Sequence, residues 1–178
     1  MKIYSKKFKN LKIIKLKRFN DLRGDNIKIF NKKYKKLKFN FYESYVSISK
    51  KGSVRGLHGQ LGKFSQSKLI YCIKGKVLDV AIDLRKNSQT YGQVFKKIIT
   101  DKDLTAILIP TGFAHGVIAL ENDTIIVNFN STDYNPKKEF GININSINLK
   151  IPKMRLILSN KDKKLIDLKK FINKRKWK

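Results

Sequence analysis

The chain reads as an all-β domain, a sandwich or barrel of short antiparallel strands. Three observations predict this. Strand-like segments recur at roughly 8–12-residue spacing with turn residues between them. In Val77 to Leu84, Leu78, Val80, Ile82 and Leu84 alternate with Val77, Asp79, Ala81 and Asp83, a period of two. Helical periodicity is confined to the tail.

Leu11 to Leu16 alternates Lys with Ile or Leu, which suits an early strand with one buried face, and Asp21-Leu22-Arg23-Gly24 closes it as a turn. Residues 26–31 and 37–49 are two short strand-like stretches, the second rich in Phe, Tyr, Val and Ile. Residues 68–74 form an apolar strand that turns at Lys74-Gly75-Lys76 and resumes as Val77 to Leu84. Asp79 and Asp83 share one face of that strand, which must be wet, paired or catalytic, because an unpartnered buried carboxylate is costly. Further strands are expected at 92–100, 105–109, 115–120 and 124–130. Ser159-Asn160 caps a helix in which Leu165, Leu168, Phe171 and Ile172 recur at helical spacing, packed outside the barrel. Residues 173–178 are expected to fray. With no internal repeat or low-complexity linker, residues 1–178 are expected to form a single domain.

A hydrophobic fraction of 41% in 178 residues suits a globular protein with a real core, and no apolar run approaches a membrane span. The basic N-terminus has no apolar stretch behind it, so a secretory signal is not expected; with a single cysteine, Cys72, the reading is cytoplasmic. The net charge of +28 invites nucleic acid as a partner, but only six of the 41 basic residues are Arg. Lysine with abundant Ile and Asn reads as composition on solvated faces, so neither nucleic acid nor membrane is expected as a partner.

The chemistry gathers around two histidines. His58 lies in Arg55-Gly56-Leu57-His58-Gly59-Gln60, and His115 in Ile109-Pro110-Thr111-Gly112-Phe113-Ala114-His115-Gly116. Flanking glycines let the backbone approach a ligand closely. Arg55, Lys68 and Asp83 stand at nearby positions that can face the same interior. Two histidines fall short of a metal-binding donor set, so no metal is expected.

RGLHGQ, SKLIYCIKGKVLDVAIDLRKNS and IPTGFAHG, in that order, resemble the dTDP-4-dehydrorhamnose 3,5-epimerase family. The resemblance extends to Asp21–Gly24 before them and to Thr132-Asp133-Tyr134 and Ser159–Asp162 after. It implies a cupin-like jelly-roll β-barrel with a short C-terminal helical tail, a homodimer with strand exchange, and no cofactor. It also implies an isomerase that removes and returns protons beside the C4 ketone of a nucleotide-linked 4-keto sugar, for surface polysaccharide or lipopolysaccharide. His58 would be the base, held by Asp162, and Lys68 would stabilise the enolate oxygen. Arg23 and Arg55 match diphosphate ligands; Tyr134, Glu139 and Lys161 match positions near the nucleotide. His115 and Asp83 are read as a pair across the interior or as contacts to the sugar, and Gln60 and Asn128 as facing the substrate.

Four places depart from the family pattern. The proton-donating tyrosine falls on Asn128, which cannot act as a general acid, leaving Tyr45, Tyr134 or a bound water to supply the proton. The aromatic after the motif histidine is Gly59, read as a roomier sugar site; a glutamate has become Lys28, and an asparagine Tyr45. These imply another sugar, such as a heptose, or another nucleobase. Three alternatives stand beside the epimerase: a 3,4-ketoisomerase on the same scaffold, a non-catalytic nucleotide-sugar binder and, more remotely, a polyanion-binding module.

Overall fold

A computed structural model describes residues 2–4, 7–31, 33, 37–151 and 153–173. Two antiparallel sheets form the body. One runs in the order β1-β2-β10-β7-β12-β5: β1 (Lys2–Tyr4), β2 (Lys12–Lys15), β5 (Glu43–Ser49), β7 (Lys68–Lys74), β10 (Thr105–Ile109) and β12 (Thr124–Asn130). The other runs β13-β6-β11-β8-β9: β6 (Val54–Gln60), β8 (Lys76–Asp83), β9 (Val94–Thr100), β11 (Phe113–Ala119) and β13 (Glu139–Gly141). A separate hairpin pairs β3 (Arg18–Asp21) with β4 (Gly24–Ile27).

The period-two pattern decides what faces what. Val77 and Ala81 of β8 pack between the sheets with Ile70, Ile107, Phe113 and Ile126. Leu78, Val80 and Ile82 point the other way, where Leu156, Leu158, Leu168 and Phe171 of the C-terminal segment cover them. The outer face of the six-stranded sheet (Ile14, Leu69, Tyr71, Leu108) is covered by Ile27, Ile29, Phe30, Leu37 and Phe39. Each sheet is thus apolar on both faces, which is why its central strands read as continuous hydrophobic runs.

The all-β, cupin-like fold is as expected, and the strands at 68–74, 105–109 and 124–130 have the expected bounds. Elsewhere tertiary contacts override local pattern. The stretch 26–31 is strand only to Ile27, and 37–49 only from Glu43, because Ile29, Phe30, Leu37 and Phe39 spend their apolar surface on a sheet face, outside any ladder. Asp21 to Gly24 is the tip of the β3–β4 hairpin. The single tail helix is two: α1 (Asn160–Lys163) and α2 (Leu168–Asn173). Ile166 interrupts it, forming a parallel bridge with Ile142 while its carbonyl accepts from Asn143 N. The expected Ser159 cap is present, its hydroxyl accepting from Asp162 N at 3.0 Å. Of the segment expected to fray, Asn173 ends α2 and residues 174–178 lie outside the described ones.

Candidate active site

One cleft opens between the sheets. From the five-stranded wall come Arg55 and His58 of β6 and His115 of β11; from the six-stranded wall come Tyr45 of β5, Lys68 of β7 and Asn128 of β12. The C-terminal turn adds Lys161 and Asp162. The cleft has a volume of about 310 Å³. An adjoining lobe of about 280 Å³ shares Tyr45, His58 and Lys68 and adds Gln60, Tyr134 and Glu139. A larger hollow of about 600 Å³, lined by Lys7, Lys9, Arg85 and residues 87–90, contains none of these groups.

Backbone geometry places the two histidines side by side. Gly56 has φ +112°, and a Cβ there would lie 2.6 Å from the His115 carbonyl oxygen, so only glycine allows this approach of β6 to β11. His58 and His115 are direct cross-strand partners, with a bulge just beyond. His58 Nε2 bonds the Asp162 carboxylate at 2.7 Å. Asp162 is 4% exposed and stands in the first turn of α1, presented by the Ser159 cap. With Nε2–H donating to that carboxylate, Nδ1 carries the free lone pair. The Glu139 carboxylate lies 3.6 Å from Nδ1.

Lys68 faces His58 from the other wall. Desolvation pushes its pKa below the ordinary lysine value, and the charges of Glu139 and Glu43 pull it back up. A desolvated ammonium aimed into a cleft is poised to take on a developing oxyanion. Tyr134, Glu139 and Lys161 form one cluster: the Lys161 ammonium pairs with Glu139 and donates to the Tyr134 hydroxyl at 3.4 Å. That pairing raises the Lys161 pKa.

Other expected residues stand differently. His115 pairs with Asp79, not Asp83: its Nε2 lies 2.9 Å from the Asp79 carboxylate, and both are buried. Asp83 is fully buried outside the cleft, accepting from Arg85 Nη2, Ser88 Oγ and Thr90 Oγ1, each at 2.6 Å. Burial pushes its pKa up, but these donors prevail and hold it at about 2. Gln60 borders the lobe, yet its amide is used by Phe64 O, Asp133 O and Asn135 N. Arg55 lines the cleft with its guanidinium tied to Ser49 Oγ and the Ile48 carbonyl. Arg23 lies outside the cleft, 89% exposed at the hairpin tip and paired with Asp21. Lys28 also lies apart, over the Phe19 ring. Gly59 is not roomier: a Cβ there would meet the Phe140 ring at 2.4 Å and the Phe113 carbonyl oxygen at 2.7 Å.

Sequence reasoning passed over Glu43, Ser47 and Asn130, which share the inward face of β5 and β12 with Tyr45 and Asn128. The signal was there, since polar residues at alternate positions of an apolar strand carry the same message as Asp79 and Asp83.

A jelly-roll sandwich that sets a histidine–aspartate pair opposite a desolvated lysine holds the groups that an isomerase of the proton-transferring kind needs. The family profile described as dTDP-4-dehydrorhamnose 3,5-epimerase matches residues 5–170. A dTDP-4-dehydrorhamnose 3,5-epimerase of Shigella flexneri is 34% identical over 181 aligned positions, 97% of this chain and 100% of that one. The crystal structure of a dTDP-4-dehydrorhamnose 3,5-epimerase from Sulfolobus tokodaii is 36% identical and superposes with a TM-score of 0.87, covering 96% of this chain and 97% of that one. A dTDP-6-deoxy-D-glucose-3,5-epimerase from Legionella pneumophila, solved with dTDP-4-keto-L-rhamnose, is 32% identical with a TM-score of 0.87, covering 94% and 93%. The chain belongs to the dTDP-4-dehydrorhamnose 3,5-epimerase family.

Proposed function

We propose that the chain epimerises a nucleotide-linked 4-keto sugar, dTDP being the first nucleotide to try, in the making of sugars for surface polysaccharide or lipopolysaccharide. The observation that carries this reading is the His58–Asp162 pair facing Lys68 across one cleft. His58 takes the proton from the carbon beside the C4 ketone, the C–H electron pair becomes the enolate double bond, and the carbonyl oxygen gains charge beside Lys68. Asp162 holds the ring so that Nδ1 faces the substrate, and stabilises the imidazolium that forms. Tyr134 and the Lys161–Glu139 pair frame the nucleotide end, and Arg55 the diphosphate. His115, held by Asp79, borders the sugar.

The homodimer belongs to this reading. β5 is an edge strand whose outward Val46 and Ile48 are 57% and 64% exposed, an apolar edge that a second copy would cover. In such a dimer the projecting hairpin would offer Arg23 to the partner's cleft. A cytoplasmic setting suits the buried free thiol of Cys72.

The test is incubation with dTDP-4-keto-6-deoxyglucose in heavy water, with NMR reading deuterium at C3 and C5. Deuterium at both carbons is expected. A bound sugar that gains none would overturn the reading in favour of a binding protein, and a migrated carbonyl would identify a ketoisomerase.

A further inference from the structure

We propose that Tyr45 is the residue that delivers the proton to the face opposite His58, the acid half of an epimerisation whose base half is the dyad; this rests on the epimerase reading. Inversion cannot be completed by one group, because a base returning its own proton restores the starting configuration. A donor is needed on the far side of the enolate plane, within reach of the same carbon.

The cleft narrows the choice. His58 projects from the five-stranded wall and Tyr45 from the six-stranded wall, so a sugar ring held between the sheets lies between them. Asn128 occupies the neighbouring place on Tyr45's wall, but an amide is not an acid at neutral pH, and its nitrogen turns to Ser47 Oγ at 3.4 Å. Tyr45 and Asn128 are direct cross-strand partners, whose Cβ atoms stand about 5 Å apart on one face. A phenol carried on β5 therefore sweeps the volume that a longer side chain at 128 would enter. Tyr134, the other phenol near the site, is occupied by Glu139 and Lys161 and borders only the adjoining lobe. Tyr45 borders both.

The surroundings of Tyr45 favour an acid. Desolvation raises its pKa above the ordinary tyrosine value, and the carboxylate of Glu43 on the same strand adds to this. A hydrogen bond with the Asn130 side chain opposes the rise, as does Arg55 from the other wall to a smaller extent, while Glu139 on that wall adds to it. The phenol thus stays protonated at neutral pH until the enolate needs it. Its oxygen gives up the proton, the enolate electron pair forms the new C–H bond, and the ketone is restored. Tyr45 is 44% exposed, so solvent can reprotonate the phenolate and accept the proton left on His58.

Tyr45→Phe separates the two halves. In heavy water the variant is expected to keep deuterium exchange on the His58 face within about threefold while inversion falls by about 100-fold or more. Nucleotide binding and thermal melting report that the fold is kept. Inversion within about twofold of the unmodified protein would overturn the proposal, as would exchange and inversion falling together. Placing 3,5-difluorotyrosine at position 45 provides a second reading. The alkaline limb of the inversion rate should move down by roughly three pH units, from the ordinary tyrosine range, with no change in the exchange profile, and an unmoved limb would overturn the assignment. If the unmodified protein exchanges no deuterium into a sugar it binds, the epimerase reading itself fails, which is a different result from any of these.

Discussion

Replacing Asp162 with Asn removes the nearer of the two carboxylates beside the His58 ring, the other, Glu139, lying 3.6 Å away and already paired with Lys161. The Asp162 carboxylate lies 2.7 Å from His58 Nε2 and is 4% exposed. While the imidazole is neutral this is a hydrogen bond; once the ring takes a proton it becomes an ion pair. At that separation and an effective dielectric of about 20, the Coulomb energy is on the order of 6 kcal/mol, a ceiling that amide dipoles and relaxation reduce. A loss of about 3–5 kcal/mol remains, which corresponds to a fall of about 10²- to 10⁴-fold in turnover. An asparagine that turned its NH2 to the ring would also force the proton onto Nδ1, leaving no lone pair toward the substrate. The Ser159 cap accepts from the backbone N–H of residue 162, so α1 should survive the change. The assay is the initial rate of deuterium incorporation by NMR, with dTDP binding by calorimetry as the control. Binding should stay within about threefold. An exchange rate within about tenfold of the unmodified protein would refute the assignment of the dyad as the base.

The remaining predictions concern charge and packing. Burial opposes the ammonium of Lys68, so the folded-state pKa is below the unfolded one and the charged form costs stability until the pH rises through that window. Lys68→Met should therefore raise Tm at pH 7 by about 2–6 °C while lowering turnover about 10²- to 10³-fold; a lowered Tm would contradict the burial argument. Asp83, held at about 2, stabilises the fold by about 2 kcal/mol above pH ~4, and this is lost as the pH falls from ~4 toward ~2. Asp83→Asn should flatten the dependence of Tm on pH in that interval, and an unchanged slope would rule the carboxylate out as its source. Gly59→Ala places a methyl against the Phe140 ring and the Phe113 carbonyl, and should cost about 1–3 kcal/mol, read as a Tm drop of about 3–10 °C. A Tm within 1 °C of the unmodified value would mean that Phe140 yields freely.

Much of the fold was legible because its information is local. The alternation in β8 named which side chains share a face, and the capping serine of α1 needed no partner outside its own turn. His58, Lys68 and Asp162 could be picked out by chemistry and by resemblance, and they converge as expected.

What the sequence left open depends on register and distant packing. His115 is paired across the ladder with Ala81, so Asp79 and Asp83 lie on the two diagonals, equally near in sequence terms. The choice is made by Arg85, Ser88 and Thr90, which surround Asp83 after the strand ends and leave Asp79 for the histidine. Gly59 looked like added room until the short strand β13 brought Phe140 over it. Tyr45 stood in the sequence both as a changed recognition residue and as one of three proton sources, beside Tyr134 and a bound water, and its place opposite Asn128 follows from how β5 and β12 pair. By itself the sequence determined the fold class and the apolar faces, written in period-two repeats, while the pairing of His58 with Asp162 came from the family resemblance. Which carboxylate meets His115, and which phenol lines the cleft across from His58, only the tertiary structure decided, because those distances are set by strand register between segments tens of residues apart.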